Sequence, residues 1–462
     1  MTMTRTIYKQ WYIRTTLVFA GILLIGFIAT SFGNIDRWFA DVMGEWVKIE
    51  FIKFWVIFYN EMGFTCLFLI ALVSIFIIVE SWYVKNRSNK KSKVVILICY
   101  SVTTMIFFVY NFIRLIGLLT EDTGWGLGID PQYLTTNTYK IISRISIFFI
   151  ETTILIGSIF FLRFKVSKTN ILIEKRAWVV AISALIFIIV SFFLLTLILK
   201  QSFGRPFYLN VEFERYIGKV KLDENGWAID IELSVEAQKL EADFPDLKER
   251  ILNSYNNSGY WTQADRYYKW YEVNGDWYQN LQFWYGGKIL SWFMKFDPEY
   301  TKPLCWNNQD FPSGHTISGF TGVYYALFAS VLIKDDKKRI KTTNILFTVW
   351  FISEIIMINS LVVARTHYVS DVWFSFVFCA IFMVTSLRFT NTLATKTLLK
   401  KRIKILKTNE FAIVKNKILI YFQDDNKIFI TKIYSKRVEK KLKKYLNSLQ
   451  LQEIHNWKNY YS

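Results

Sequence analysis

The chain has 462 residues, is 53% hydrophobic and 18% aromatic, and carries a formal charge of +19. This apolar composition, poor in Gly and Pro, excludes a disordered or collagen-like chain. The basic residues cluster in short loops beside apolar runs, the pattern of the positive-inside rule, so no nucleic-acid partner is expected.

Eight apolar runs follow in order: 15–32, 64–84, 94–119, 145–162, 177–199, 316–333, 343–363 and 372–387. Each approaches the ~20 residues that cross a bilayer core. The first has a charged flank like a signal peptide, but it is long and lacks a small-residue cleavage site, so an uncleaved helix is expected. Basic loops (Arg5, Lys9 and Arg14; 85–93; Arg163 to Arg176; Lys334 to Lys341; Arg388 onward) alternate with acidic ones holding Asp36, Asp41, Glu45, Glu50 and Glu61, then Glu121, Asp122 and Asp130. That alternation predicts a multi-pass plasma-membrane protein with both termini cytoplasmic. Cys66, Cys99 and Cys379 lie in apolar runs and Cys305 is alone in a polar segment, which gives no disulfide or zinc pattern.

The outer loop 201–311 is too long to be structureless. Its Asp223-Glu224-Asn225-Gly226 predicts a hairpin, Ser234 a helix cap, and Asp243 with Pro245 a second helix. The stretch 260–296 holds Trp261, Trp270, Trp277, Trp284 and Trp292, which suit either a membrane interface or the core of a small outer domain. The tail reads as strands at 412–422 and 427–434, a basic helix at 437–449 and a surface residue, His455. The expected parts are two extra N-terminal spans (1–93), three core spans (94–200), an extracytoplasmic insertion (201–311), three more core spans (312–387) and a basic cytoplasmic tail (388–462).

Two of the chain's three histidines begin apolar runs: His315 in Pro312-Ser313-Gly314-His315, and His367 four residues before Asp371. That spacing puts His367 and Asp371 on one helical face, where a carboxylate can hold one ring nitrogen and free the other to attack. His315 suits proton donation to a leaving oxygen. Lys200, Arg205 and Arg365 stand at the same outer ends, as a phosphate clamp would require. Within the spans, Glu151, Glu354 and Arg114 are read as structural pairs distant from that site.

These segments resemble the three signature motifs of the type 2 phosphatidic acid phosphatase superfamily, which includes the vanadium haloperoxidases. The resemblance covers the six spans from Val94 to Leu387. It implies an all-α membrane protein whose six-helix catalytic bundle sits among about eight transmembrane helices, with a mixed α/β outer loop. It further implies His367 as the nucleophile, Asp371 as its orienter, His315 as the general acid, and Lys200, Arg205, Arg365, Ser313 and Gly314 as phosphate ligands. No metal or cofactor is implied. The substrate would be a lipid phosphate or diphosphate at the outer leaflet. Two family arginine positions are occupied here by Phe207 and Leu361, with Arg205 two residues early and Arg365 four late. A phosphotransferase of the sphingomyelin-synthase type and a non-catalytic lipid-phosphate binder are the alternatives.

Overall fold

The computed structural model describes residues 11–87, 89–120, 130–258, 262–283, 287–300, 309–405, 411–414, 417–422 and 427–432. The chain is mostly helical. Among the described residues, seven helical segments are long and apolar enough to cross a membrane, which makes it a multi-pass membrane protein: Trp11–Ala29, Glu50–Lys85, Lys91–Thr120, Asn137–Val166, Ala177–Tyr216, Asp336–Val363 and Val369–Ala394.

We number the main helices α1 (Trp11–Ala29), α2 (Ile35–Gly44), α3 (Glu50–Gly63), α4 (Cys66–Lys85), α5 (Lys90–Thr120), α6 (Asn137–Phe160), α7 (Ala177–Ser191), α8 (Val235–Glu241), α9 (Leu247–Ser258), α10 (Gly314–Phe320), α11 (Val323–Leu332), α12 (Asp336–Val363) and α13 (Val369–Ile405). Packing joins α4 to α7, α11 to α12, and α3 to both α6 and α12. Thr15–Leu387 form one compact unit, and the described residues from Arg388 onward belong to a second.

The run expected to be one span at 316–333 is instead two helices, α10 and α11, joined by i→i+3 turns at Thr321 and Gly322. The cause lies on α12. A Cβ at Gly319 would meet Glu354 Oε2 at 2.4 Å, and one at Gly322 would meet Trp350 Cδ1 at 2.7 Å. The small residues let α12 approach closely, and the turn tightens where they cluster. Span five also departs from a plain α-helix, passing through a π-helical stretch at Phe192–Leu199 just before Lys200. Such stretches widen the turn and recur at functional sites.

The first loop is helical: α2 carries Asp36 and Asp41, a 3-10 turn begins at Glu45, and α3 carries Glu50 and Glu61. In the long outer segment the expected hairpin forms, with Gly218–Leu222 antiparallel to Ala228–Leu233. Ser234 Oγ accepts from the Ala237 amide and starts α8, and α9 follows. The aromatic stretch divides: Trp270 packs on Phe27 and Phe311, while Trp292 stays 79% exposed. The tail contributes an antiparallel three-stranded sheet, Phe411–Val414, Lys417–Phe422 and Lys427–Lys432, where two strands were expected. Trp261, Trp284, Cys305, His455 and the expected helix at 437–449 lie outside the described residues.

Candidate active site

His315 and His367 are brought to one place by the packing of the α10 start on the α13 start. The Ser313 amide donates to Ser375 Oγ at 2.9 Å, and Ser375 Oγ donates to the Asp371 carbonyl at 2.7 Å. Ser313 Oγ caps α10 by accepting from the Thr316 amide. The Phe311–Pro312 peptide is cis. Ser313 therefore spends its amide and hydroxyl on architecture.

The His367 ring is buried, with Nδ1 in direct contact with Asp310 Oδ1 and 3.8 Å from Asp371 Oδ2. Asp371 is occupied elsewhere: Oδ1 accepts from Arg205 Nη1 at 2.6 Å, and Oδ2 from the Tyr368 amide at 2.7 Å. The carboxylate nearest the His367 ring is thus Asp310, three residues before Ser313 and absent from the expected set. Burial pushes the His367 imidazole down to about 4, against the opposing pull of Asp371. Burial and the adjacent Asp371 carboxylate hold Asp310 well above the usual carboxyl range.

Arg205 sits in the site, but four of its donors are spent. Nε donates to the Tyr268 carbonyl at 2.9 Å, Nη1 to Ser370 Oγ at 2.8 Å and to Asp371, and Nη2 to Asp36 Oδ2 at 2.8 Å. The Tyr368 ring lies 4.2 Å beneath the guanidinium. Asp36, on the first turn of α2, also accepts from the Ser370 amide and hydroxyl. Arg205 is consequently the centre of a fully buried Asp36–Arg205–Asp371 triad. Gly204, which precedes it, has φ +56°, and a Cβ there would meet the Asn274 carbonyl at 3.3 Å. Only glycine turns the chain freely at that point.

Arg365 does not join His367. Its φ of +60° turns the side chain toward Asp130 and Glu236, which accept from Nη1 at 3.2 and 3.0 Å, while Nε donates to the Gly44 carbonyl. The guanidinium lies 3.7 Å from the Tyr216 ring centre. Nη1 and Nε thus tie separate segments together, while Nη2 is buried without a hydrogen-bond partner among the described residues.

Lys200 differs. Its Nζ makes no ion pair among the described residues, lies 5.7 Å from the Phe207 ring centre, and feels the charges of Asp310 and Asp371. Phe207 in turn stands edge-on to His367 at 5.8 Å. Phe207, which occupies a family arginine position, thus packs between the lysine and the histidine.

His315 is held from the other side. Phe64 meets it edge-on at 4.6 Å, and a Cβ at Gly63 would fall 2.3 Å from His315 Cδ2. Arg114 stands over Phe64 at 4.2 Å and pairs with Glu61 at 3.4 Å, so it lies one ring away from His315, closer than expected. Glu151 pairs with Arg144 at 3.5 Å, as the structural reading anticipated. His315 Nε2, Thr316 Oγ1, Thr196 Oγ1 and Tyr368 OH are buried without hydrogen-bond partners among the described residues. Buried polar atoms are nearly always satisfied, so such orphaned groups are suited to an oxygen-rich ligand. Gly63→Ala is expected to displace His315 while leaving the fold intact, with a loss of activity of up to about 100-fold; unchanged turnover would contradict the tight fit.

Asp310, His367 and Asp371 also place three ligand-type atoms within 4.8 Å of one another. Arg205 lies 2.6 Å from Asp371, so a positive charge already faces this set, which fits shared protons better than a second cation.

The apolar helical segments describe a multi-pass membrane protein in which His315 and His367 lie close enough to feel each other's charge. Residues 180–394 match the family described as PAP2 superfamily, the type 2 phosphatidic acid phosphatase superfamily. That segment runs from α7 to α13 and contains Lys200, His315 and His367. The chain is also 28% identical over 374 residues to an uncharacterized protein of Mycoplasma capricolum subsp. capricolum, covering 78% of this chain and 88% of that one. No solved structure matches.

Proposed function

We propose that the chain hydrolyses a lipid phosphate or diphosphate at the outer leaflet through a phosphohistidine on His367. His367 Nε2 attacks phosphorus as the phosphorus–oxygen ester bond breaks, and His315 gives its proton to the departing oxygen. Water then attacks the phosphorus–nitrogen bond, with His315 taking the water proton. Lys200 and the Gly314 amide balance charge on the equatorial oxygens. Arg205 acts by fixing Asp371 and the His367 segment.

The observation that carries this reading is the buried, unpartnered His315 Nε2 near a histidine ring whose Nδ1 contacts the Asp310 carboxylate. Release of phosphate from purified protein is the test, across phosphatidate, phosphatidylglycerol phosphate and polyprenyl diphosphate, with and without chelator. Release from none of them would reject the reading, and abolition by chelator would reject its metal-free form. Lys200→Gln should lower kcat/KM by about 10- to 100-fold, because it removes one charge-assisted contact.

Engagement of Arg205 by Asp36 and Asp371, and of Arg365 by Asp130 and Glu236, favours one competing reading, a relative that binds lipid phosphate without turning it over. Covalent phosphate trapped on His367 by acid-free quench would eliminate that reading.

A further inference from the structure

We propose that the end of the bundle opposite His315 and His367 holds an anionic glycerophospholipid, in a cavity between α6, α11 and α12. The cavity measures about 740 Å³, within the range of about 300–1,000 Å³ typical of small-molecule sites. Its position follows from α12: Lys338 lies on the first turn and Val363 at the last, which separates them by about 38 Å at ~1.5 Å per residue. A bilayer core is about 30 Å thick, so the cavity and the histidines belong to different leaflets.

The walls are apolar, built from Leu162, Phe328, Leu332 and Leu346. The mouth is basic: Lys165, Lys334 and Lys338 all line it and are exposed. None of these ammonium groups makes an ion pair among the described residues. The acid beside them, Asp335, is occupied as the α12 cap, accepting from the Lys338 amide at 2.7 Å. About one turn deeper along α11 than Phe328, behind the walls, the Tyr325 hydroxyl is buried with no partner among the described residues. Just past α6, the π-helical stretch Phe161–Val166 carries Lys165 and Leu162 into the lining. A π-turn of this kind is uncommon and often marks a ligand site.

The chemistry selects the occupant. A free phosphate or nucleotide would satisfy the lysines and leave the apolar walls facing water. A neutral lipid would fill the walls and leave three cations unanswered. A diacyl lipid with an anionic headgroup answers both, and basic pockets between spans on the cytoplasmic side are known to take such headgroups. Lysines at span ends usually serve as interfacial anchors alone, but an anchor does not require a cavity or an orphaned hydroxyl behind it.

The test uses the full chain in neutral detergent, with melting temperature measured after adding phosphatidylglycerol or phosphatidylcholine. Phosphatidylglycerol should raise the melting temperature by about 3–5 °C more than phosphatidylcholine. The triple variant Lys165→Gln, Lys334→Gln, Lys338→Gln should lose that difference. Gly157→Phe should lose it with every lysine in place: Gly157 lines the cavity, and a Cβ there meets no atom within 4 Å, so the ring enters open space. Equal shifts from both lipids in the unaltered chain would overturn the proposal. So would loss in the lysine variant with retention in Gly157→Phe, which would indicate surface charge attraction without a cavity.

Discussion

His367→Ala is expected to abolish phosphate release, lowering kcat by at least about 10⁴-fold, and to eliminate the trapped phosphoryl group. The size of the effect follows from the position of the ring. It is almost fully buried, with Nδ1 against Asp310, so no neighbouring group can substitute as nucleophile and water has little room to take its place. Full activity in His367→Ala would sink the covalent route outright.

The companion variant, Asp310→Asn, separates the two carboxylates. When Asp310 holds a proton it donates to Nδ1, the ring hydrogen sits on Nε2, and Nε2 has no free pair for attack. When Asp310 is ionised it accepts from Nδ1–H, and Nε2 is free. Burial raises Asp310 and lowers His367 to about 4, so the inactive arrangement persists until pH rises through the pair's apparent titration. Asparagine accepts from Nδ1–H without competing for the proton. The acid limb of kcat against pH should therefore move to lower pH in Asp310→Asn. An unmoved limb would show that Asp371, at 3.8 Å, governs the ring alone.

The spans were largely readable because a run of ~20 apolar residues has few other fates. The break between α10 and α11 was not, since its cause is Trp350 and Glu354 on another helix meeting glycines whose own sequence says nothing of the approach. The histidines were readable for a related reason: Pro-Ser-Gly-His and the four-residue step from His367 to Asp371 are local patterns. Asp36 and Asp310 were hidden. An acid in an outer loop is ordinary, and the contact of Asp36 with Ser370 spans 334 positions. Arg365 misled because nearness in sequence does not give side-chain direction. Two residues from His367, it turns at φ +60° and faces Asp130. In each case the local chemistry was legible and the pairing of charges was not, since opposite charges can meet from any distance along the chain.

The second large effect concerns Arg205, where stability rather than turnover should fail first. Arg205→Ala would leave Asp36 and Asp371 buried, adjacent and uncompensated, because both are fully enclosed and both accept from the same guanidinium. Removing one partner of a buried pair costs about 3–5 kcal/mol, and a triad with two acids on one cation stands at the upper end of that range. Melting in detergent should fall sharply in Arg205→Ala. Arg205→Lys should recover only part of the loss, since an ammonium cannot span both acids and the Tyr268 carbonyl as the fork does. The double variant Arg205→Ala with Asp36→Asn should melt above Arg205→Ala alone, because one buried charge has been withdrawn along with its partner. A free phosphate-binding arginine predicts the opposite pattern: an unchanged melting temperature, a raised KM, and no gain from Asp36→Asn. The four donors that Arg205 spends on Tyr268, Ser370, Asp371 and Asp36 leave at most one for a substrate oxygen, so the burden of binding phosphate shifts to Lys200.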